Sequence, residues 1–202
     1  MSRRSRFKPP FPWIAALCVV ASVTGCATLS QIAALRTVAF TLDRVDQVKV
    51  AGVRLDDKRR YSDLSVIETA QIAAAIALQK VPLDLVVHVR AENPRENTVS
   101  ARLVDLDWTL FLENRETVSG KLAGTQLLPP GEPVDIPIAA QLDLLQFFRG
   151  SGRELVELAL SIAGHGNATT EVRLEALPTI QTSIGPIRYP GRIVIRRVVG
   201  AR

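Results

Sequence analysis

The chain has 202 residues, 47% of them apolar and 5% aromatic, with 25 Lys and Arg against 20 Asp and Glu and a formal charge of +5. That length can bury one sizeable hydrophobic core. The positive balance comes from the head of the chain, where Arg3, Arg4, Arg6 and Lys8 stand and residues 1–25 hold no acid. Without that head the chain is nearly neutral, so the high pI is no sign of a nucleic-acid binder.

Behind the basic head, Phe11 to Val23 is an apolar run interrupted by Pro12 and Ser22. It is too short to span a bilayer as a helix, and head and run together predict a secretory signal peptide. In the stretch "VTGCATLS", Gly25 stands immediately before Cys26, and Val23 two places before Gly25. This order resembles the bacterial lipobox, whose cysteine becomes the first residue of the mature chain and carries a diacylglycerol on its sulfur. Taken alone, Cys26 also reads as a small apolar residue closing a hydrophobic helix; basic head, apolar run and box in sequence favour the lipobox. The resemblance implies a signal peptide over residues 1–25, a tether over 26–36 and a folded domain over 37–202. Cys18 then leaves with the signal and Cys26 is acylated, so no internal disulfide can form. The expected location is the cell envelope, lipid-anchored and facing the periplasm. Ala27, where an aspartate is the inner-membrane retention mark of enteric bacteria, points to the outer membrane by analogy.

Beyond the tether, alternation dominates. In "VDLDWTLFLE" Val104, Leu106, Trp108, Leu110 and Leu112 share one face while Asp105, Asp107, Thr109 and Glu113 share the other, the period-2 signature of a half-buried strand. Val134, Ile136, Ile138, Ala140 and Leu142 repeat the pattern, as do Val172, Leu174 and Ala176. Further strands are predicted over Val38 to Leu42, Gln47 to Val53, Leu83 to Ala91, Val118 to Leu127 and Ile193 to Val198. Short strands between Asn, Pro and Gly turns predict a mainly β fold, an antiparallel immunoglobulin or fibronectin-III-like sandwich. Two helices are added to it. One is predicted over Ser65 to Gln79, opened by Ser65 and Glu68 at capping-box spacing and stopped before Pro82; the other opens on Ser151 and Glu154 and closes at Gly164. Val66, Ile67, Ile72, Ala73, Ile76 and Leu78 make the first apolar over most of its surface. Leu155, Val156, Leu158, Leu160 and Ile162 do the same for the second. Helices of this kind are expected to be covered on several sides, either wedged against an open end of the sandwich or closing an apolar cavity.

The run "LVVHVRAENPRENTVSARLVDLDWTLFLENRETVSGKLAGTQLLPPGEPVDIPI" carries a strand ending on Asn93-Pro94, a polar turn to Asn97, a strand with Trp108 at its centre, the Ser119-Gly120 step, and a Pro/Gly loop from Pro129 to Pro133. This order resembles late embryogenesis abundant group 2 proteins and their WHy (water stress and hypersensitive response) domain, over roughly Gln47 to Leu177. "VKVAGVRL" is similar to the family's opening strand. The three residues between Asn93 and Asn97 depart from its commonest, tighter form, and the helix from Ser65 is an addition to it. The resemblance implies a non-enzymatic role in water stress, shielding proteins or membranes, and it also allows a lipid-binding groove along the sandwich. Independently of any family, Pro94 holds Asn93 extended and the Asn side chains can bond turn backbone. The resemblance thus implies Asn93, Pro94, Asn97, Trp108 and Gly120 as fold-bearing positions, and the turn chemistry of the first three supports it independently.

Catalytic constellations are missing from the sequence. His88 alternates with Val87 and Val89 and is expected at the surface, and His165 lies among helix-terminating glycines. Two isolated histidines without a cysteine or carboxylate cluster do not make a metal site, and there is no Gly-rich phosphate loop or Gly-x-Ser-x-Gly elbow. Asp105 and Asp107 read as a solvated strand face rather than paired acids or a cation site. The basic tail, Arg188, Arg192, Arg196, Arg197 and Arg202, reads as solvated edge-strand ends before it reads as an anionic-lipid contact. No enzyme, cofactor, metal or nucleic-acid partner is expected. The expected partners are a membrane, through Cys26, and a lipid or client protein.

Overall fold

A computed structural model describes residues 38–200 apart from 98, 123, 167, 183 and 184. The leader, Cys26 and the tether lie outside the described residues. The chain forms an antiparallel β-sandwich. Its first sheet joins β1 (Ala39–Val50), β2 (Val53–Arg54), β3 (Pro82–Glu92) and β7 (Pro133–Asp143) in the order β2-β1-β3-β7. The second runs β10-β8-β4-β5, from β4 (Ala101–Leu112), β5 (Arg115–Lys121), β8 (Thr170–Thr182) and β10 (Ile193–Val199), with β6 (Gln126–Leu128) paired to β4 and β9 (Gly185–Arg188) to β8. Three helices are added: α1 (Val66–Ala77), the single turn α2 (Leu144–Phe147) and α3 (Gly152–Ile162).

The inner faces are those of the alternation where the strands are regular. Ile136, Ile138, Ala140 and Leu142 of β7 and Val172, Leu174 and Ala176 of β8 are buried in one core with Val87 and Val89 of β3. In β4 a register shift between Leu103 and Asp105 changes the parity. Leu103, not Val104, joins Leu106, Trp108, Leu110 and Leu112 in the core, because a bulge puts two residues opposite one and flips every side chain before it. The expected strands Val38 to Leu42 and Gln47 to Val53 are joined through Val50 as one strand, β1, with two such bulges, at Leu42/Arg44 and Asp46/Lys49, while Val53 belongs to β2. Gln47 has a positive φ of 52° at the second, and the Asp56 carboxylate takes the N–H of Val48 at 3.0 Å. The expected strand from Val118 to Leu127 is in fact two, β5 and β6, each paired to a different part of β4.

Tight hairpins set the register at one end. Ala51 and Gly52 (φ 50° and 82°) link β1 to β2, while Glu113 and Asn114 (φ 49° and 61°) link β4 to β5. Two consecutive positive φ values match the right-handed strand twist. Both long helices start on the expected capping boxes: Ser65 Oγ accepts from Glu68 N at 3.2 Å while the Glu68 carboxylate accepts from Ser65 N at 2.7 Å, and Ser151 and Glu154 repeat the exchange.

The helices differ in how they are covered. α3 lies against β1 and β8 and buries Leu155, Val156, Ala159, Leu160 and Ile162. α1 does not meet the expectation of cover on several sides, since Ile72 is its one buried residue. Val66 is 86% exposed, and Ile67 and Leu78 are each 79% exposed. The apolar content of this helix comes largely from alanines, and only the arc of Ile72 and Ile76 reaches the domain, so its mean composition hides a bare face.

Candidate functional site at the helical end

β1, β3 and β7 fix two ends of the sandwich. Val38 and Asn93 lie at one, because Ala39 pairs with Glu92. Val50, paired with Leu83, lies at the other, where Gln71 of α1 donates to Ala51 O at 2.7 Å and Ile76 sits beside Gly152 at the start of α3. A single 3-10 turn, Tyr61–Asp63, completes this helical end.

A cleft of about 630 Å3 opens there between residues 59–62, α3, Gly166 and residues 168–170. Leu158, Leu160 and Ser161 form part of its wall, and Arg59, Arg60, Arg153, Glu113, Glu154 and Glu157 stand around it. The Arg153 guanidinium lies 5.9 Å from the centre of the Tyr61 ring and pairs with Glu157 at 2.8 Å. Gly166 closes against Ser161: a Cβ there would stand 2.1 Å from Ser161 Oγ, so only glycine fits. The Ser161 hydroxyl donates to Glu157 O at 2.9 Å, a bond back to the helix's own backbone. Glu154 is held below the usual carboxylate range, first by the Ser151 backbone N–H. The cleft therefore joins an aliphatic wall to cationic and acidic side chains. That is the composition of a binding surface for an amphiphile.

The fold-bearing residues of the sequence do not line this cleft. Asn93 is 1% exposed and lies at the opposite end. Its Nδ2 donates to Leu128 O at 2.8 Å and to Val99 O at 3.2 Å, its Oδ1 accepts from Asn97 Nδ2, and its backbone O accepts from Gly131 N at 2.7 Å. Asn97 N in turn reaches Pro94 O at 3.1 Å. The Asn93-Pro94 turn is thus a latch between the end of β3, the start of β4 and the loop before β7. Trp108 and Gly120 face one another across β4 and β5, and a Cβ on Gly120 would lie 2.5 Å from Trp108 Cζ2.

His88 corrects its sequence reading: it is on the outer face, as alternation requires, yet only 7% exposed. Its Nδ1 stands 2.7 Å from Asp135 Oδ2 and its Nε2 3.0 Å from Asp46 Oδ1, with Arg44 also 2.9 Å from Nδ1. Long side chains from β1 and β7 cover the ring, a contact that single-strand alternation does not reveal. No group of three or more His, Cys, Asp or Glu with metal-binding geometry occurs among the described residues. Asp105 and Asp107 meet Lys121 at 3.7 and 3.0 Å, and Asp107 also pairs with Arg188. Arg192 reaches Glu175 at 4.0 Å and Arg197 donates to Leu42 O at 3.2 Å, so much of the basic tail is engaged within the fold. Sequence reading passed over Arg59, Arg60, Tyr61 and Arg153; the one local signal was the charge run "DDKRRYSD" directly before a capping box.

Four carboxylates give an acid prediction. Asp63 is held low first by the Arg59 N–H, Glu68 and Glu154 by their capping-box N–H groups, and Asp107 by Lys121. Depressed folded-state values mean stability that is complete above the unfolded values and lost as pH falls through the folded ones. Urea midpoints are expected to be level from about pH 6 to 8 and to fall below about pH 4.5. A midpoint as high at about pH 3 as at pH 7 would overturn this.

These features define an antiparallel β-sandwich domain with a polar latch at one end and a helical, cleft-bearing cap at the other. No family model matches the chain, and no curated protein matches it. It is similar to the solution structure of a candidate late embryogenesis abundant protein, at 14% identity and a TM-score of 0.40 over 93% of this chain and 87% of that one. A second solution structure, of an Arabidopsis thaliana protein, has 14% identity and a TM-score of 0.42 over 79% of each chain. A crystal structure of an Archaeoglobus fulgidus protein has 12% identity and a TM-score of 0.35 over 60% of this chain and 86% of that one. With TM-scores below 0.5, the fold assignment rests on strand order and register rather than on these likenesses.

Proposed function

We propose that the protein is a non-enzymatic lipoprotein of the cell envelope, anchored by lipid on Cys26 and facing the periplasm, whose WHy-like sandwich protects membranes or proteins during water stress. The observation that supports it is the Asn93 latch. The asparagines that carry the family resemblance are spent on bonding Leu128, Val99 and Gly131, which makes them parts of a scaffold. Protein carrying Cys26→Ser is expected to preserve a labile enzyme through freezing or drying better than an equal mass of albumin. Equal performance counts against the reading.

The cleft favours a second reading, a lipid-binding or lipid-transfer module. About 630 Å3 beside Leu158 and Leu160, with arginines around it, suits part of an anionic amphiphile rather than a whole membrane. Native mass spectrometry of protein extracted from membranes is expected to show phospholipid held by the domain; a clean apo mass opposes it.

A further inference from the structure

We infer that helix α1 is the surface by which the domain rests on an anionic bilayer. Val66, Ile67 and Leu78 are exposed at 86%, 79% and 79%, and the alanines between them, Ala70, Ala74 and Ala77, are exposed on the same side. Helical spacing puts all six on one continuous arc, opposite Ile72 and Ile76, and no charged residue interrupts it. Val66, Ile67 and Leu78 would each gain from leaving water. A face that forgoes several such contributions is a place for something else to supply them.

A second copy is a poor occupant. Twelve residues make a helix about 18 Å long, and one such face falls well short of the roughly 800 Å2 per partner of a stable interface. A bilayer needs no such area when the domain is already tethered to it. The inference rests on the acyl anchor at Cys26, which stands 12 residues before Val38. An extended chain covers at most about 3.3–3.6 Å per residue, hence about 40 Å, which is about the length of β1. Val38 and α1 are at opposite ends of that strand, so anchor and helix can reach one membrane with the domain lying along it. Tethering makes the helix contact intramolecular, and a modest apolar face is then sufficient.

Charge agrees. Arg59 and Arg60 are exposed just before α1 and Lys80 just after it. The acids nearby are occupied: Asp63 accepts from the Arg59 and Arg60 backbone, Glu68 caps the helix and pairs with Lys58 at 3.3 Å, and Asp57 also meets Lys58. Exposed cations immediately before and after a helix with a bare aliphatic arc suit anionic headgroups at an interface.

The test uses the acylated protein purified from membranes and reconstituted in vesicles containing about one-third anionic phospholipid. If Cys26 is acylated and Cys18 removed, Ile67→Cys, Leu78→Cys or Leu127→Cys supplies the only free thiol for an environment-sensitive fluorophore. All three positions are exposed. Leu127 lies on β6 near Asn93, at the end where the chain enters, and serves as the reference. Probes at 67 and 78 are expected to shift to shorter wavelength and to lose quenching by an aqueous quencher, while the probe at 127 keeps it. With acylation verified by mass, equal quenching at all three positions, or protection at 127 alone, overturns the inference. Protection at 67 and 78 that vanishes on dilution with excess lipid also overturns it and assigns the face to a second copy. An unacylated Cys26 removes the anchored function itself, a failure that mass alone distinguishes from the others.

Discussion

Replacing Asn93 with alanine is expected to lower the stability of the domain by about 2–4 kcal/mol. The side chain is buried and donates to two carbonyls, Leu128 O and Val99 O, while accepting from Asn97. Alanine deletes all three bonds and leaves both carbonyls with one partner fewer in a place water reaches poorly; the cost of such orphaned groups exceeds the net worth of the bonds. Asn93→Asp separates bonding from packing. Its volume is nearly unchanged, but carboxylate oxygens cannot donate, so they face Leu128 O and Val99 O repulsively. The aspartate variant is expected to be at least as unstable as the alanine variant in urea titration. If Asn93→Asp folds as stably as the parent, the latch is not what holds β3, β4 and the loop before β7 together.

The turn was legible because it is local: Asn93-Pro94 and Asn97 lie within five residues, and their chemistry is that of a turn; the bonds that make it a latch, from Asn93 to Leu128 and Gly131 on a distant stretch of chain, were not. Alternation was legible for a similar reason in β7 and β8, where regular pairing leaves parity intact. It failed at Leu103 and Val104, because a bulge is set by the partner strand, here β8, and leaves no mark in the run "ARLVDLDW". It failed again at β1, where Leu42 and Gln47 look like the end of one strand and the start of another. The helices show a different limit. Composition gives how apolar α1 is but not which of its sides meets the sandwich, and only the tertiary placement of Ile72 and Gln71 decides that. The cleft was beyond reach altogether, since residues 59–62, α3, Gly166 and residues 168–170 meet only after the β-domain has folded.

The ends of the sandwich therefore divide the work. The Asn93 end is tied by polar contacts, and the α1 end carries the continuous exposed aliphatic face and the open cleft. Substitutions at the first are expected to act through stability. Substitutions at exposed positions of the second, such as Ile67, are expected to leave the unfolding transition within about 0.5 kcal/mol of the parent, so any effect on lipid contact can be read without a folding defect.

Gly120→Ala tests the contact between edge strand β5 and β4 in the second sheet. Gly120 pairs with Trp108, and an added Cβ would stand 2.5 Å from Cζ2, 2.9 Å from Cε2 and 3.1 Å from Cη2 of the indole. Trp108 is 6% exposed among Leu106, Leu110 and the rest of the core, so the ring cannot swing away without disturbing a close-packed interior. Overpacking of this kind costs about 1–3 kcal/mol. Gly120 is not among the residues of positive φ, so the penalty is a clash and not a backbone conformation. That distinction can be measured. Trp108→Leu alone opens a void and is expected to cost about 2–4 kcal/mol, but it also removes the atoms that the alanine methyl would strike. In the double variant the methyl enters the vacated space, and the pair is expected to be more stable than the sum of the single effects by about 1–2 kcal/mol. Strict additivity would mean that Gly120 is required for some reason other than its contact with the indole.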